Sequence, residues 1–591
     1  MSQGLHSTDQ IRIRKALSAI LHVSVWAYAC IAVVCSFATP AGKFDDAIPL
    51  VHGTLIQKGY TPNLDFYSFY PPLGLYLNAA AFRVLGQTIV APRAVAGVLF
   101  VIVLMLVTWL FRSRFRSDPL VPAAVLLVAV TAGTAIPMPS WPGFAISLSA
   151  LLLYLCAREE DRHRFLLVGL SGVVAAAAIL CRINFGGYAV FVITLDLLRR
   201  SLLGGIDGLR ARLKSEAPMM VAFGVPLVLC SVGLCLWIYG RKVDIALSQF
   251  VVLAQRFMAL RGFLDLRLDV AAAVTFPFLW FFVRLLKGSE SFVIRAVVPA
   301  VLGAGVTILA LGGGRSPAIV PIVVAVDVAL VLLMHAFVRR LEAVELSILL
   351  FYCCMVHYYI SRADQDHLRL LPIAGVLLMP FLVLAPDNPT KARFDTVMPM
   401  GTALSLISVA IFLVVAIPKY RPGLSDLPRG LTMMSNVIQD RNLTDSDRML
   451  GAPPPQSPWH RVYQDKAELE ALRYFRERTT PSTPLFVGYR DHSTIFWNDL
   501  RMYWLSGRPI AARIFQLETR MATEEPIQRE IIGDLEKRKN AWVILDTEFT
   551  EDEASKKANY QGSSLLDDYI GRNFKQVASF GTYWVFTRAT D

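Results

Sequence analysis

Long apolar runs closed by small clusters of arginine and lysine alternate along residues 1–418, and the pattern changes at residue 419. The first run, 16–38, follows a polar leader carrying Arg12, Arg14 and Lys15; it lacks a convincing small-residue cleavage site and reads as a retained helix. Further runs occupy 94–111, 120–136, 142–157, 165–180, 185–198, 218–239, 270–286, 296–311, 318–337, 344–360, 370–384 and 397–417. Because a helix needs about 20 mostly apolar residues to cross a bilayer, the pattern predicts about thirteen transmembrane helices. Basic residues at Arg112, Arg114 and Arg116, at Arg199, Arg200, Arg210, Arg212 and Lys214, and at Arg339 and Arg340 close alternate runs and mark those ends as cytoplasmic. The N-terminus is then cytoplasmic, and an odd number of crossings sends the C-terminus outside. Two stretches are too short to cross: 48–58 is amphipathic, and 73–85, interrupted by Asn78 and Arg83, reads as an interfacial helix on the outer face.

From residue 419 onward a polar linker runs to Pro453, Pro454 and Pro455, and shorter periodic segments follow. Helices are predicted over 468–478, 527–537 and 565–572, strands over 484–488 and 542–545, and a terminal hairpin over 574–580 and 583–587 around Gly581. The expected fold is thus a polytopic α-helical membrane domain, 1–418, with a C-terminal soluble α/β domain, 419–591, on the extracytoplasmic, periplasmic side of the cytoplasmic (inner) membrane.

Composition agrees with that class. Hydrophobic residues make up 55% of the chain, charged residues only 18%, and mean hydropathy is +0.49, outside the range of a soluble globule. The net charge of +12 reflects basic loops between apolar runs, which is membrane topology and not a nucleic-acid footprint. The eight cysteines lie in or beside apolar segments, with no disulfide framework and no zinc-finger spacing.

The polar residues with chemical potential gather in outer loops. The loop 39–92 carries Asp45 and Asp46 directly after the first span, then Asp65, Tyr70 and the Pro71-Pro72 pair. A carboxylate just outside the hydrocarbon stays hydrated and reactive while facing a lipid-borne substrate. The plainer reading is that Asp45 and Asp46 cap the following helix. At the outer end of the fifth span, CRINFGG sets Arg182, Asn184 and Gly186 in an apolar run, and a cation there is costly unless an anion meets it or its head reaches water. Between the eleventh and twelfth spans, SRADQDHLR offers Arg362, Asp364, Asp366, His367 and Arg369, which could equally pair among themselves. Asp327 sits within an apolar run, where a helix-to-helix hydrogen bond is the preferred reading. Three loops distant in sequence thus bring carboxylates and arginines to one membrane face, as a site for a lipid-linked phosphate and its sugar requires.

The first span followed by Asp45-Asp46, the aromatic stretch, PPLGL at 71–75 and the arginine-led PRAVAGVL at 92–99 resemble the C-type (GT-C) membrane glycosyltransferases, in particular protein O-mannosyltransferases and lipid A aminoarabinose transferases. R-x-N-x-G from Arg182 and R-x-D-x-x-H-L from Arg362 are similar to segments of their bacterial relatives. Those relatives usually carry Asp-Glu where this chain has Asp45-Asp46. The resemblance implies a polyprenyl-phosphate sugar donor, a glycan, lipid or protein acceptor hydroxyl, and transfer on the outer face with inversion. Asp45 would be the general base with Asp46 beside it. Asp65, Tyr70, Arg182, Asn184, Arg362, Asp364, His367 and Arg369 would bind the donor or its phosphate. No cofactor is required; a divalent metal on Asp45, Asp46 and His367 is compatible with these ligands but not demanded by their spacing. The competing class is a lipid-linked sugar transporter or flippase, which predicts paired, broken spans and mid-membrane charge; no internal repeat of that kind is found.

Overall fold

The computed structural model describes residues 2–114, 141–202, 209–249, 343–361, 424–451, 465–494, 497–517, 523–548 and 562–589, with a few single positions between them. Its first half is helical: α1 (Ser2–Ser36), α2 (Ala47–Gln57), α3 (Pro72–Leu85), α4 (Val90–Arg114), α5 (Trp141–Glu159), α6 (Arg164–Cys181), α7 (Ile183–Leu202), α8 (Leu209–Tyr239) and α9 (Ala343–Ser361). Among the described residues five helical stretches are long and apolar enough to cross a membrane: Ser18–Ser36, Val90–Arg114, Trp141–Glu159, Arg164–Cys181 and Lys214–Gln249. The chain is a polytopic helical membrane protein. The expected spans at 120–136, 270–286, 296–311, 318–337 and 397–417, and all but three positions of 370–384, lie outside the described residues.

Helix α5 forms the centre of the bundle and is buried along nearly its whole length, from Trp141 to Ala157. Small residues let its neighbours approach. A side chain at Gly172 of α6 would meet the Phe223 carbonyl of α8, so glycine there permits backbone contact between the two helices. One buried charge in the bundle is compensated within it. Asp196 of α7 accepts from Tyr154 at 2.6 Å and pairs with Arg158 at 2.6 Å.

The second half contains α10 (Leu427–Gln439), α11 (Asp445–Gly451), α12 (Lys466–Arg478), β1 (Leu485–Tyr489), α13 (Arg501–Ser506), α14 (Glu525–Lys537), β2 (Trp542–Asp546), α15 (Leu565–Asn573), β3 (Phe574–Phe580) and β4 (Tyr583–Arg588). The strands make one sheet in the order β1-β2-β4-β3, parallel between β1 and β2 and antiparallel elsewhere. Alternating side chains serve two layers. Val487, Ile544 and Val585 pack with Ala471, Leu472 and Phe475 of α12, while Phe486, Val543 and Leu545 pack with Ile527, Ile531 and Leu535 of α14 and with Leu566 and Ile570 of α15.

The 419–455 stretch, expected as a linker, instead contains α10 and α11. Helix α10 turns Gly430, Met433 and Val437 inward, and Gly430 lies so close to the Val34 carbonyl of α1 that no side chain fits there. Asp445, at the start of α11, accepts from the Ile89 amide at 2.8 Å and from the Tyr463 hydroxyl at 2.6 Å. Burial pushes the Asp445 carboxyl up to about 6. The α12 side of the sheet shares a single core with Phe37, Ile48, Leu50, Phe66 and Tyr70, so the 37–70 segment and the C-terminal lobe are packed together.

Candidate active site

Asp45 and Asp46 lie on the loop from α1 to α2 and Asp65 on the connection from α2 to α3, and the three carboxylates have different surroundings. Asp46 stands at the N-cap position of α2 without a side-chain capping bond; its Oδ2 accepts from the Gly42 amide at 2.7 Å, and it interacts electrostatically with Arg93. Asp65 accepts from the Thr61 amide, four positions earlier, at 2.7 Å and closes the turn 61–65. Asp45 is half-buried, and among the described residues it accepts no hydrogen bond. Asp46 thus occupies the N-cap position without a side-chain capping bond and serves the Gly42 amide, and Asp45 is half-buried beside it.

Helix α2 forms one wall of a pocket lined by Ile48, Pro49, Tyr70, Leu75, Asn78 and Cys181 among others. Arg182 borders it, because it follows Cys181 and its Cβ abuts Gly143, another lining residue. The guanidinium is held by aromatic rings from three parts of the chain: Tyr70 at 4.9 Å, Tyr358 at 5.4 Å and Phe185 at 5.7 Å from the ring centres. Its Nη2 donates to the Tyr358 hydroxyl at 2.9 Å. Stacking on rings fixes the plane in which a guanidinium lies, as these three rings do for Arg182.

The loop 39–92 and the α6–α7 junction, expected to converge, are thus brought together through Tyr70 and Arg182. The Asn184 Oδ1 accepts from the Phe185 amide at 3.1 Å at the start of α7. Arg362, Asp364, Asp366, His367 and Arg369 lie outside the described residues, as does Asp327. Tyr358, four residues before Arg362 in sequence, is nevertheless one of the Arg182 contacts. Among the described residues no three His, Cys, Asp or Glu side chains gather to hold a metal ion.

His52, on α2, was not singled out by its sequence context. It is fully buried, stacked on Phe66 at 5.3 Å and edge-on to Phe515 at 5.5 Å, and neither ring nitrogen has a hydrogen-bond partner. Burial pulls its pKa from 6.5 down to about 3. Below pH 6.5 the unfolded chain takes up a proton that the folded chain refuses, so this contribution is complete above 6.5 and lost as pH falls toward 3. Stability should therefore drop by up to about 1.4 kcal/mol per pH unit in that window. His52→Phe should remove this component, as thermal melts of the two proteins between pH 4 and 8 (roughly the window set by the linkage) would read out.

No protein-family model matches the chain, and no curated protein does. Solved structures similar to it include ArnT from Cupriavidus metallidurans in the apo state, with 13% identity, a TM-score of 0.45, and coverage of 99% of this chain and 98% of that one. ArnT bound to undecaprenyl phosphate gives 11% identity, a TM-score of 0.43 and 99% coverage of both chains. The Archaeoglobus fulgidus oligosaccharyltransferase AglB, in complex with an inhibitory peptide and a dolichol-phosphate, gives 13% and 0.46, covering 96% of this chain and 74% of that one. Similarity at this level decides nothing about chemistry, which rests on the residues themselves.

Proposed function

We propose that the protein is a membrane glycosyltransferase that moves a sugar from a polyprenyl-phosphate donor to an acceptor hydroxyl on the outer face of the cytoplasmic membrane. The observation that carries this reading is the division of labour in the outer loop: Asp46 and Asp65 serve backbone amides, and Asp45 is left unbonded among the described residues, close in sequence to a pocket bordered by Arg182. In the reaction the acceptor oxygen forms a bond to the anomeric carbon as the bond from that carbon to the phosphate oxygen breaks. Asp45 takes the hydroxyl proton. The bonding pair leaves with the lipid phosphate, whose charge grows from one negative to two, and direct displacement inverts the anomeric centre. A leaving group of that kind needs cations rather than an acid, and Arg182, with Arg362 and Arg369, supplies them.

Purified protein incubated with radiolabelled polyprenyl-phosphate hexoses and pentoses, and with glycan, lipid and peptide acceptors, should label one acceptor class. Absence of transfer from every donor, with labelled lipid instead crossing the bilayer of proteoliposomes, would replace the reading with transport. A second expectation concerns Arg182. A charge-assisted hydrogen bond is worth about 1.5–3 kcal/mol, so Arg182→Gln should weaken binding of a short-chain polyprenyl phosphate about tenfold to a hundredfold. Calorimetric titration with that lipid in detergent reads the change.

A further inference from the structure

The segment joining α1 to α2 is held by its backbone from two sides. Arg93 Nη1 donates to the carbonyls of Phe37 and Thr39, both at 2.8 Å. Arg501 Nη1 donates to the carbonyl of Ala41 at 2.8 Å, and the amides of Leu500 and Arg501 reach that of Lys43 at 3.0 and 3.3 Å. Four alternate carbonyls, 37, 39, 41 and 43, are therefore taken by donors that belong to α4 of the membrane half and to α13 of the C-terminal lobe. The Ala41 amide adds a bond to the Val462 carbonyl at 3.0 Å.

The side chain of Lys43 is drawn the same way. Its ammonium lies 2.7 Å from Glu548, 3.0 Å from Asp546 and 3.5 Å from Asp465, above the ring of Tyr583 at 5.1 Å. Burial alone would pull the Lys43 pKa down, but Asp546 and Asp499 outweigh it and hold the amine above its usual range. All of its carboxylate partners come from the C-terminal lobe, and Asp45 is two residues away.

We propose that Lys43 and Arg501 are positioning residues, through which the C-terminal lobe sets the place of the Asp45–Asp46 pair. The lobe is then part of the machinery of the active site and not only a cover for it. The effect on turnover rests on the transferase reading; the effect on the loop does not. A general base works only within hydrogen-bond reach of the proton it removes, and a misplacement of about 1 Å costs on the order of a hundredfold.

The test uses the full-length protein in detergent, comparing wild type with Lys43→Met, Lys43→Arg and Asp546→Asn. Amide exchange in 41–46 should quicken at least about tenfold in Lys43→Met, with β1, β2 and β4 unchanged, because the opening is local. The kcat for sugar transfer should fall about a hundredfold while the donor KM stays within about twofold, and Lys43→Arg should recover most of the loss. Asp546→Asn removes one partner without touching the loop, and should show the same effects in smaller degree if Lys43→Met does not fold. Unchanged exchange in 41–46 in the variants that fold, or an unchanged kcat beside faster exchange, overturns the proposal. A wild type that transfers no sugar removes the transferase reading alone, and the exchange result then decides whether the lobe holds the loop.

Discussion

Asp45→Asn is expected to lower kcat for sugar transfer by about two to four orders of magnitude while leaving the melting temperature unchanged, the range that loss of a general base produces. The substitution keeps shape and hydrogen-bonding capacity and removes only basicity. No structural cost offsets it, because Asp45 is half-exposed and among the described residues accepts no hydrogen bond. Asp46→Asn should behave differently. An asparagine oxygen can still receive the Gly42 amide, but the charge opposite Arg93 is lost, so loop order and turnover should both decline moderately. Asp65→Asn should leave turnover nearly intact, because its carboxylate closes the Thr61 turn, a role that asparagine also fills. Single-turnover assays with saturating donor, run beside thermal melts, separate the three. Retention by Asp45→Asn of more than about a tenth of the wild-type rate would assign the base elsewhere.

Much of this arrangement could be read in advance where a period speaks for itself. Helices α2, α3, α12 and α14 and strands β1 and β2 fall close to their predicted positions because apolar residues recur at helical or strand spacing there. Helices α10 and α13 were hidden for different reasons. Leu427–Gln439 carries apolar residues at helical spacing but opens on Leu-Pro-Arg-Gly within the stretch between residue 419 and the triple proline that composition suggests is a linker, and Arg501–Ser506 is too short to display a period at all. The unequal roles of Asp45, Asp46 and Asp65 were not legible either, since each depends on which backbone amide the fold brings within reach. Lys43 was hardest to see. As a lone basic residue beside a membrane span it resembles a topology signal, and its partners Asp465, Asp546 and Glu548 lie in the distant C-terminal region. Arg182 could be identified as a cation in an apolar run, but its three-ring setting could not, because Tyr70 and Tyr358 come from separate parts of the chain.

The same distant pairing makes Arg501 the side chain whose loss should do most damage to the fold. It is 6% exposed on its side chain, lies 2.7 Å from the fully buried Glu468, and flanks Asp499, whose Oδ2 receives the Tyr583 hydroxyl at 2.7 Å. Burial would pull the guanidinium down, but Glu468 and Asp499 push it above its ordinary value, so it stays charged. Arg501→Met fills the space and leaves those two acids buried without their cation, a change that should cost about 3–5 kcal/mol. At about 2–4 °C per kcal/mol for a unit of this size, the melting temperature of the lobe, followed by tryptophan fluorescence, should fall by about 6–20 °C. Adding Glu468→Gln to Arg501→Met removes one of the stranded charges and should return part of the loss, since the penalty comes from uncompensated charge and not from lost packing. If the double variant melts no higher than Arg501→Met, the charge account is wrong, and the carbonyl contact to Ala41 must be what Arg501 contributes.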